Sequence, residues 1–434
     1  MSYLYKLFIL SLLTLNLHAF EGLISEPVFN EQVYVKVQGN PDNETIVFVH
    51  GLGNEASAVW NTTVEKLKDE YYIITFDLSG FGNSSRSKQS YTIPNYSKLL
   101  SFLTNTYCTK PFYLVGHSMG GAIALHFTSQ NSEQVKKLML IDVAGVLHKE
   151  AYSKSLIASK LNSHNANETN DGKLITFTSL LMNKMQSFFS MSDVIEYGST
   201  EVVAAYSLGI EDFGDIIPKI NVPTFILWGA QDTIAPLRTG YSLNKFLSHS
   251  VLKIIPNAGH VPMTDAFKSY FLYVKEFLEE PISIKPKNIS LAQYDEVLRL
   301  DNQENMLISG KYKVVVLNNC RNVVIENSHL NKIEMFNSSV HIQHSIINTN
   351  DEAIVMRNSS LMLSASDIFA STGIVANSSR LDIAGSNFYS NTKMIQNAKA
   401  GENTYVIFSI SQAIYEKEHK ILHGSYVLTH SQGL

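Results

Sequence analysis

The sequence predicts an α/β region with a mostly parallel sheet and a helical cap, followed by an all-β solenoid. Short apolar runs alternate with helix-length stretches up to about Pro281, which is typical of a parallel sheet with helices on both faces. That alternation stops between about Val146 and Ile217. Beyond residue 297 a repeat of about 20 residues begins, and such a period with β character indicates stacked coils.

The elements of the α/β region follow from local patterns. Apolar runs of five or six residues predict strands at Val33–Val37, Ile46–His50, Tyr72–Asp77, Phe112–Gly116, Leu138–Asp142, Thr224–Gly229 and Val251–Ile255. Stretches of helical length and pattern predict helices at Thr63–Glu70, Tyr96–Thr106, Met119–Ser129 and Phe267–Leu278. The intervening segment, residues 146–217, is helix-like and rich in Met and Phe, so we expect a cap with an apolar face over the rim of the sheet.

The N-terminus has the pattern of a secretory signal peptide. Lys6 precedes an apolar run over Leu7–Leu17, and Ala19 offers a small residue for cleavage. The run is shorter than the roughly 20 residues that span a bilayer. We therefore predict a signal peptide at residues 1–19 and an exported protein, with an uncleaved anchor or a buried strand as the alternatives.

Composition excludes some classes of function. The 434-residue chain has a net charge of −5 and no block of Lys or Arg, which argues against a nucleic-acid partner. Cys108 and Cys320 are too few for a metal cluster or a disulfide framework, so we expect unpaired thiols. No metal site is visible in the sequence, and we expect no cofactor.

The C-terminal region, residues 298–434 after a linker at 283–297, carries the repeat. Asn-Ser-Ser occurs at 337, 358 and 377, and Asn318 and Asn397 extend the series at a similar step. Recurrent Asn suits a left-handed corner with a side-chain hydrogen-bond ladder. The pattern resembles a short right-handed parallel β-helix of about five turns. The alternative is a small β-sandwich.

A serine between glycines is the first candidate for catalysis. Gly116–Gly120 reads G-H-S-M-G and lies where a strand passes into a helix. In the G-x-S-x-G motif a strained turn exposes the serine hydroxyl, and the residues two before and two after must be very small. Ser118 is therefore the predicted nucleophile.

A serine hydroxyl needs a base and a group that orients the base. His260 lies in the loop after the last predicted strand, and Asp232 follows the strand before it. Both loops should meet Ser118 at the carboxyl edge of the sheet. We predict His260 as the base and Asp232 as the acid, with Asp142 as the rival to Asp232.

An oxyanion formed during acyl transfer also needs hydrogen-bond donors. The backbone amide of Met119, directly after the nucleophile, is the first candidate. The amide of Leu52, in the loop that follows the strand ending at His50, is the second. The alternative is that His50-Gly51 is only a turn at the end of a strand.

These motifs together resemble the α/β-hydrolase superfamily. The resemblance covers about residues 28–280 within a predicted domain at 20–282 and rests on His50–Gly53, Asp77–Ser85, Gly116–Gly121, Asp232 and Gly259-His260. It implies a capped site that works without a cofactor, and a structural role for the Asp77 loop. Ser118 argues against the members that have Asp at the nucleophile position, the haloalkane dehalogenases and epoxide hydrolases.

Three functions remain open. The first is an exported serine hydrolase, esterase- or lipase-like, that cleaves small acyl esters. The second is a hydrolase that uses the same three residues, Ser118, His260 and Asp232, to cleave a C–C bond or a lactone. The third is a surface or binding protein whose main role lies in the solenoid. Because no carboxylate pair or basic cluster stands out there, we expect that region to be non-catalytic, with glycan, surface or protein contact as its candidate roles.

Overall fold

The computed structural model describes residues 19–148, 151, 195–196, 198–282, 292–399, 402–415, 418–429 and 433–434. Most of the predicted signal peptide, of the predicted cap and of the predicted linker therefore lies outside the described residues. None of the helices within these ranges is long and apolar enough to cross a membrane.

The first region is built on an eight-stranded sheet. Its strands are β1 (Phe20–Glu26), β2 (Glu31–Gln38), β3 (Thr45–Val49), β4 (Tyr72–Phe76), β5 (Phe112–His117), β6 (Val135–Ile141), β7 (Thr224–Gly229) and β8 (Ser250–Ile255). Their order is β1-β2-β4-β3-β5-β6-β7-β8. The pairs β1–β2 and β2–β4 are antiparallel, and the remaining pairs are parallel. The central strands are fully buried, as expected of a parallel sheet covered on both faces.

Helices cover this sheet. They are α1 (Asn61–Leu67), α2 (Ile93–Tyr107), α3 (Met119–Gln130), α4 (Thr200–Ile210), α5 (Leu237–Phe246), α6 (Pro262–Asp265) and α7 (Phe267–Glu279), with short 3-10 turns at Ala56–Trp60, Ser132–Gln134 and Ile217–Lys219. Alternate residues of the strands enter two different apolar clusters. Val47 and Val49 pack with α2 and α3, whereas Ile46 and Phe48 pack with α1 and α7. The predicted fold class of this region is confirmed, and each predicted strand is present within a few residues.

The second region is a fourteen-stranded sheet wound into a solenoid. Its strands are β9 (Val297–Asp301), β10 (Leu307–Ile308), β11 (Lys311–Asn318), β12 (Val323–Glu326), β13 (His329–Phe336), β14 (Ser339–Gln343), β15 (Ile346–Asn348), β16 (Glu352–Arg357), β17 (Ser360–Ser364), β18 (Asp367–Asn377), β19 (Arg380–Ala384), β20 (Asn387–Asn397), β21 (Thr404–Tyr415) and β22 (Glu418–Leu428). All pairs between these strands are parallel except β21–β22. The predicted solenoid class is therefore confirmed.

In some coils the residue at the left-handed corner is not the predicted Asn but the residue that follows it. Asn337 and Asn358 adopt the left-handed conformation, as predicted. In the next coil, however, Ser378 takes that conformation, and Asn377 pairs in register with Arg357 inside the sheet. Asn318 and Asn397 likewise lie at strand positions. The coils vary in length, so equal spacing along the sequence does not keep equal positions in the structure.

Asn side chains bond between coils in pairs, Asn337 to Asn319 and Asn322 to Asn305, and buried serines form the longer hydrogen-bond ladders. At one corner the amides of Cys320, Ser338 and Ser359 donate to the hydroxyls of Ser338, Ser359 and Ser379 in the next coil. A second ladder runs through Ser328, Ser345, Ser366, Ser386 and Ser411. Each hydroxyl accepts a hydrogen bond from a buried backbone amide that does not pair with a neighbouring strand.

Helix α5 joins the two regions. Its Arg238 donates to Asp382 Oδ1 at 2.8 Å, and its Lys245 pairs with Asp367 at 2.5 Å. All four side chains are nearly buried, and Tyr241 of the same helix packs edge-on against His344. The first region therefore contacts the solenoid through charged and aromatic groups on one helix.

Candidate active site

The turn between β5 and α3 places Ser118 in a strained conformation. Its φ is +52° and its ψ is −120°, a region that non-glycine residues rarely occupy. A Cβ atom at Gly116 would lie 2.5 Å from Gly120 O, and one at Gly120 would lie 2.2 Å from Val49 O. The two glycines are therefore required by close backbone packing, as the motif predicts.

Ser118, His260 and Asp232 form one hydrogen-bonded chain. Ser118 Oγ lies 2.9 Å from His260 Nε2, and His260 Nδ1 lies 2.8 Å from Asp232 Oδ2. Because Asp232 can only accept when ionised, Nδ1–H donates to it, and Nε2 is left to accept the Ser118 hydroxyl proton. The side chains of His260 and Asp232 are buried. The structure thus brings together the three residues that the sequence singles out.

The loop that carries Asp232 is fixed locally. Asp232 Oδ1 accepts hydrogen bonds from the amides of Ile234 and Ala235, at 2.7 and 2.9 Å. Ala235 O in turn accepts the indole N–H of Trp228 at 2.9 Å. These bonds hold one carboxylate oxygen and leave the other for His260.

Asp142 does not contact His260 through a hydrogen bond in the described structure. It follows β6 with a φ of +45° and is completely buried, and its Oδ1 accepts the amide of Gly229 at 2.8 Å. Burial first, and then the charge of the neighbouring Asp232, raise the pKa of Asp142 well above its ordinary value. The raised pKa favours the protonated form of this carboxyl group, whose Oδ2 is buried and has no hydrogen-bond partner in the described structure.

The backbone near Ser118 offers amide groups for an oxyanion. Met119 is the first residue of α3, and the first amides of a helix have no partner within it. A Cβ atom at Gly51 would lie 2.8 Å from Ser118 Cβ, so the loop that contains Leu52 passes directly beside the nucleophile. Both predicted donors are thus on segments that flank Ser118.

Two neutral histidines form hydrogen bonds with the backbone around Ser118. His50 Nδ1 lies 2.7 Å from Gly51 O, and His50 Nε2 accepts the amide of Leu78 at 2.9 Å. His117 Nε2 lies 2.7 Å from His260 O. Burial lowers the pKa of His50 and lowers that of His117 to about 3, so both rings are neutral donors to backbone oxygens. Sequence reasoning identifies these positions but not their bonds, which depend on distant segments.

The Asp77 loop is held by its own hydrogen bonds. Asp77 Oδ1 accepts the amide of Ser57 at 2.9 Å, and Oδ2 accepts the amide of Asn83 at 2.8 Å. A Cβ atom at Gly82 would lie 2.2 Å from Asp77 Oδ2. One oxygen of this buried carboxylate thus binds the 3-10 turn at Ala56–Trp60 and the other binds its own loop, in keeping with the structural role expected for it.

Comparison with known proteins identifies relatives of the first region. The model of the alpha/beta hydrolase fold family matches residues 44–267, just over half of the chain. The uncharacterized hydrolase YugF of Bacillus subtilis is 28% identical over 254 residues, which cover 53% of this chain and 88% of that protein. Lipase 3 of Moraxella sp. is 24% identical over 270 residues, covering 55% of this chain and 78% of the lipase. An esterase structure from Exiguobacterium antarcticum, with 20% identity and a TM-score of 0.48, covers 60% of this chain and 100% of that one.

Proposed function

The chain belongs to the alpha/beta hydrolase fold family, and from that premise we propose that it is a serine hydrolase of carboxylic esters. The observation that carries the proposal is the hydrogen-bonded chain from Ser118 through His260 to Asp232. Relatives named as lipases, from Moraxella sp. and Psychrobacter immobilis, support an ester as the substrate.

The proposed reaction has two halves. Ser118 Oγ attacks the ester carbonyl carbon while His260 Nε2 takes its proton, and the amides of Leu52 and Met119 stabilise the oxyanion. Collapse breaks the bond to the alkoxy oxygen, and His260 protonates the departing alcohol. A water molecule then attacks the acyl carbon while His260 takes its proton. The bond to Ser118 Oγ breaks, His260 returns the proton to Ser118, and the acid is released. Asp232 stabilises the histidine while it is charged.

Hydrolysis of p-nitrophenyl esters over a series of acyl lengths tests this proposal. We expect the wild-type chain to cleave them and Ser118→Ala to lose on the order of 10⁵-fold or more in kcat, because the nucleophile is removed. Ser129→Ala is the matched control: it removes a hydroxyl from helix α3, which directly follows Ser118, and that hydroxyl donates to His126 O. Circular dichroism checks that each variant is folded.

Several outcomes would change the proposal. If the chain cleaves no ester and a fluorophosphonate leaves Ser118 unlabelled, it is not a serine esterase. Faster cleavage of a lactone or of a C–C bond than of any ester would assign the same residues to that reaction. The acyl-length profile would report on the cap, whose Met- and Phe-rich sequence suggests an apolar acid portion.

Export is part of the same proposal and has a separate test. It is supported by the charged, apolar and small residues of segment 1–19 in that order. We expect N-terminal sequencing of the protein outside the cytoplasm of its host to begin at Phe20. A mature chain that begins at Met1 or Ser2 would contradict cleavage.

A further inference from the structure

An open groove of about 780 Å³ runs over the outer face of the solenoid. Its floor is formed by β12, β14, β17, β19 and β21, which are neighbours in the sheet. Ser118, His260 and Asp232 do not line it. The groove is therefore a site separate from the candidate active site, and its volume is that of a small-molecule pocket.

Parallel pairing arranges the side chains of successive coils in two columns along this groove. One column contains Asn322, Ser339, Ser360, Arg380 and Tyr405, and the other contains His341, Met362, Asp382 and Ile407. Adjacent strands lie about 4.8 Å apart. Hydrogen-bonding groups therefore recur along the floor at about the length of one sugar residue in an extended chain.

The carboxylate of Asp382, on the floor of the groove, is held in place by hydrogen bonds from the first region. Arg238 Nη2 donates to Asp382 Oδ1 at 2.8 Å and to Asp382 O at 3.0 Å. Asp382 Oδ2 has no hydrogen-bond partner within the part of the chain that the structure describes. Arg238 Nε also donates to Ser364 Oγ, which lies 3.1 Å from His341 Nε2. A ligand would meet acceptors and donors that are already ordered, which lowers the entropic cost of binding.

A tyrosine ring provides the apolar contact. Tyr405 is 48% exposed in the groove, and the guanidinium of Arg380 lies 6.0 Å from the centre of its ring. A sugar ring has an apolar face of C–H groups and a rim of hydroxyls. The ring of Tyr405 can stack on the C–H face of a sugar, and Arg380, Ser360 and Asp382 can form hydrogen bonds with its hydroxyls.

Other occupants fit this groove less well. A peptide strand adds at the edge of a sheet, whereas the groove lies on the face of strands paired on both sides. A nucleic acid needs a basic channel, and Arg380 is the single Lys or Arg among the described lining residues. A lipid chain would bury the Asp382 carboxylate without a partner for Oδ2. We propose that the groove of the solenoid is a binding site for an oligosaccharide chain.

Affinity electrophoresis in native gels tests the proposal with the full chain. The probes are laminarin, dextran, xyloglucan and mannan as neutral polysaccharides, and polygalacturonate and alginate as acidic ones. We expect at least one of them to retard the protein. Tyr405→Ala and Arg380→Ala should each weaken that binding by about tenfold, because they remove the stacking surface and a rim donor.

Two controls separate this site from the rest of the molecule. Tyr415→Ala removes a tyrosine that is 38% exposed at the end of β21 and does not line the groove, so it should leave binding unchanged. Ser118→Ala should also bind normally, which keeps this test independent of ester hydrolysis. The proposal is wrong if no probe retards the wild type, or if both groove variants bind as tightly as it does. Binding to phosphatidylcholine vesicles without retardation by any polysaccharide would also overturn it.

Discussion

Asp142 determines how much negative charge lies beside His260. Asp232 carries the charge that faces the imidazole, and Asp142 contacts Asp232 from a completely buried position. Two carboxylates that contact each other in a buried site would repel strongly, so one of them retains a proton. The amide of Gly229 binds Oδ1 of Asp142, whereas Oδ2 is buried and has no hydrogen-bond partner in the described structure, so a proton on this group removes a charge that burial disfavours.

The isosteric change Asp142→Asn tests this protonation state. An Asn side chain accepts from the amide of Gly229 and, like a protonated carboxyl, adds no charge beside Asp232. We expect the acid limb of the pH profile of kcat/KM to keep its midpoint in this variant. An ionised Asp142 predicts the opposite result: losing a negative charge would shift the midpoint down by about one pH unit or more.

Asp142→Leu provides the comparison. It leaves the amide of Gly229 without its acceptor, which costs about 1–3 kcal/mol. We expect kcat/KM to fall about tenfold, provided that melting curves show a folded protein. Equal activity of the Leu and Asn variants would show that the hydrogen bond from Gly229 has no role in catalysis.

The chemistry at single residues was partly readable from the sequence. Gly116, Ser118 and Gly120 follow a local steric rule that five consecutive residues express. His260 and Asp232 could be predicted because each lies in a loop that follows a predicted strand. The choice of Asp232 over Asp142 as the partner of His260 depends on side-chain positions, and the sequence only favours it. The bond from His117 to His260 O joins residues 143 positions apart, and no local pattern encodes it.

At the scale of elements, the buried serines show where pattern reading fails. The repeat is visible because Asn and Ser recur, and Asn is the residue expected at a left-handed corner. Ser366, however, is fully buried and bonds to coils on both sides, with Ser345 on one and Ser386 on the other. Serine is common on surfaces, so the sequence does not indicate which serines lie inside the solenoid.

Helix α5 gives a prediction for the contact between the two regions. Arg238→Met removes a cation that is 7% exposed and leaves Asp382 without its partner. We expect this change to lower the free energy of unfolding by about 3–5 kcal/mol, because the remaining charge is largely buried. Urea unfolding followed by circular dichroism measures the loss.

Lys136→Met is the matched control for that change. Lys136 pairs with Glu44 at 2.9 Å, and the two side chains are 41% and 53% exposed. Solvent screens such a pair, so its loss should cost less than about 1 kcal/mol. Equal effects of the two substitutions would mean that the Arg238–Asp382 pair adds nothing beyond an ordinary surface contact.

At the scale of the whole molecule, the two regions share more than helix α5. Leu147 and Ala151, at the start of the predicted cap, pack with Ala384 and Ile407 of the solenoid. The amide of His148 donates to Ser409 Oγ at 2.9 Å. The sequence predicts two regions of different character, but it cannot predict their contact, because each bond joins residues more than 100 positions apart.

Acidification should destabilise the molecule because it contains buried neutral histidines. Burial lowers the pKa of His117 to about 3 and that of His341 to about 4, and it also lowers the pKa of His50. Above pH 6.5 these rings are neutral in both states. Below pH 6.5 the unfolded chain takes up protons that the folded chain does not, so each ring lowers the free energy of unfolding by up to about 1.4 kcal/mol per pH unit. For His341 this loss continues down to about pH 4.

Asp142 acts in the opposite direction but does not cancel this effect. Its pKa is raised in the folded state, so its contribution to stability falls as the pH rises above 3.8. The pKa of Glu211 is also raised by burial, but burial lowers the pKa of His126 and His423 as well. Two carboxyls therefore oppose five rings among the described residues, and the balance between pH 6.5 and 4 favours loss of stability on acidification. Urea unfolding at pH 7, 6 and 5 should show the decline, and His341→Asn should reduce its slope, whereas His249→Asn at an exposed position should not. A free energy of unfolding that stays constant from pH 7 to pH 5 would contradict the neutral state of these histidines.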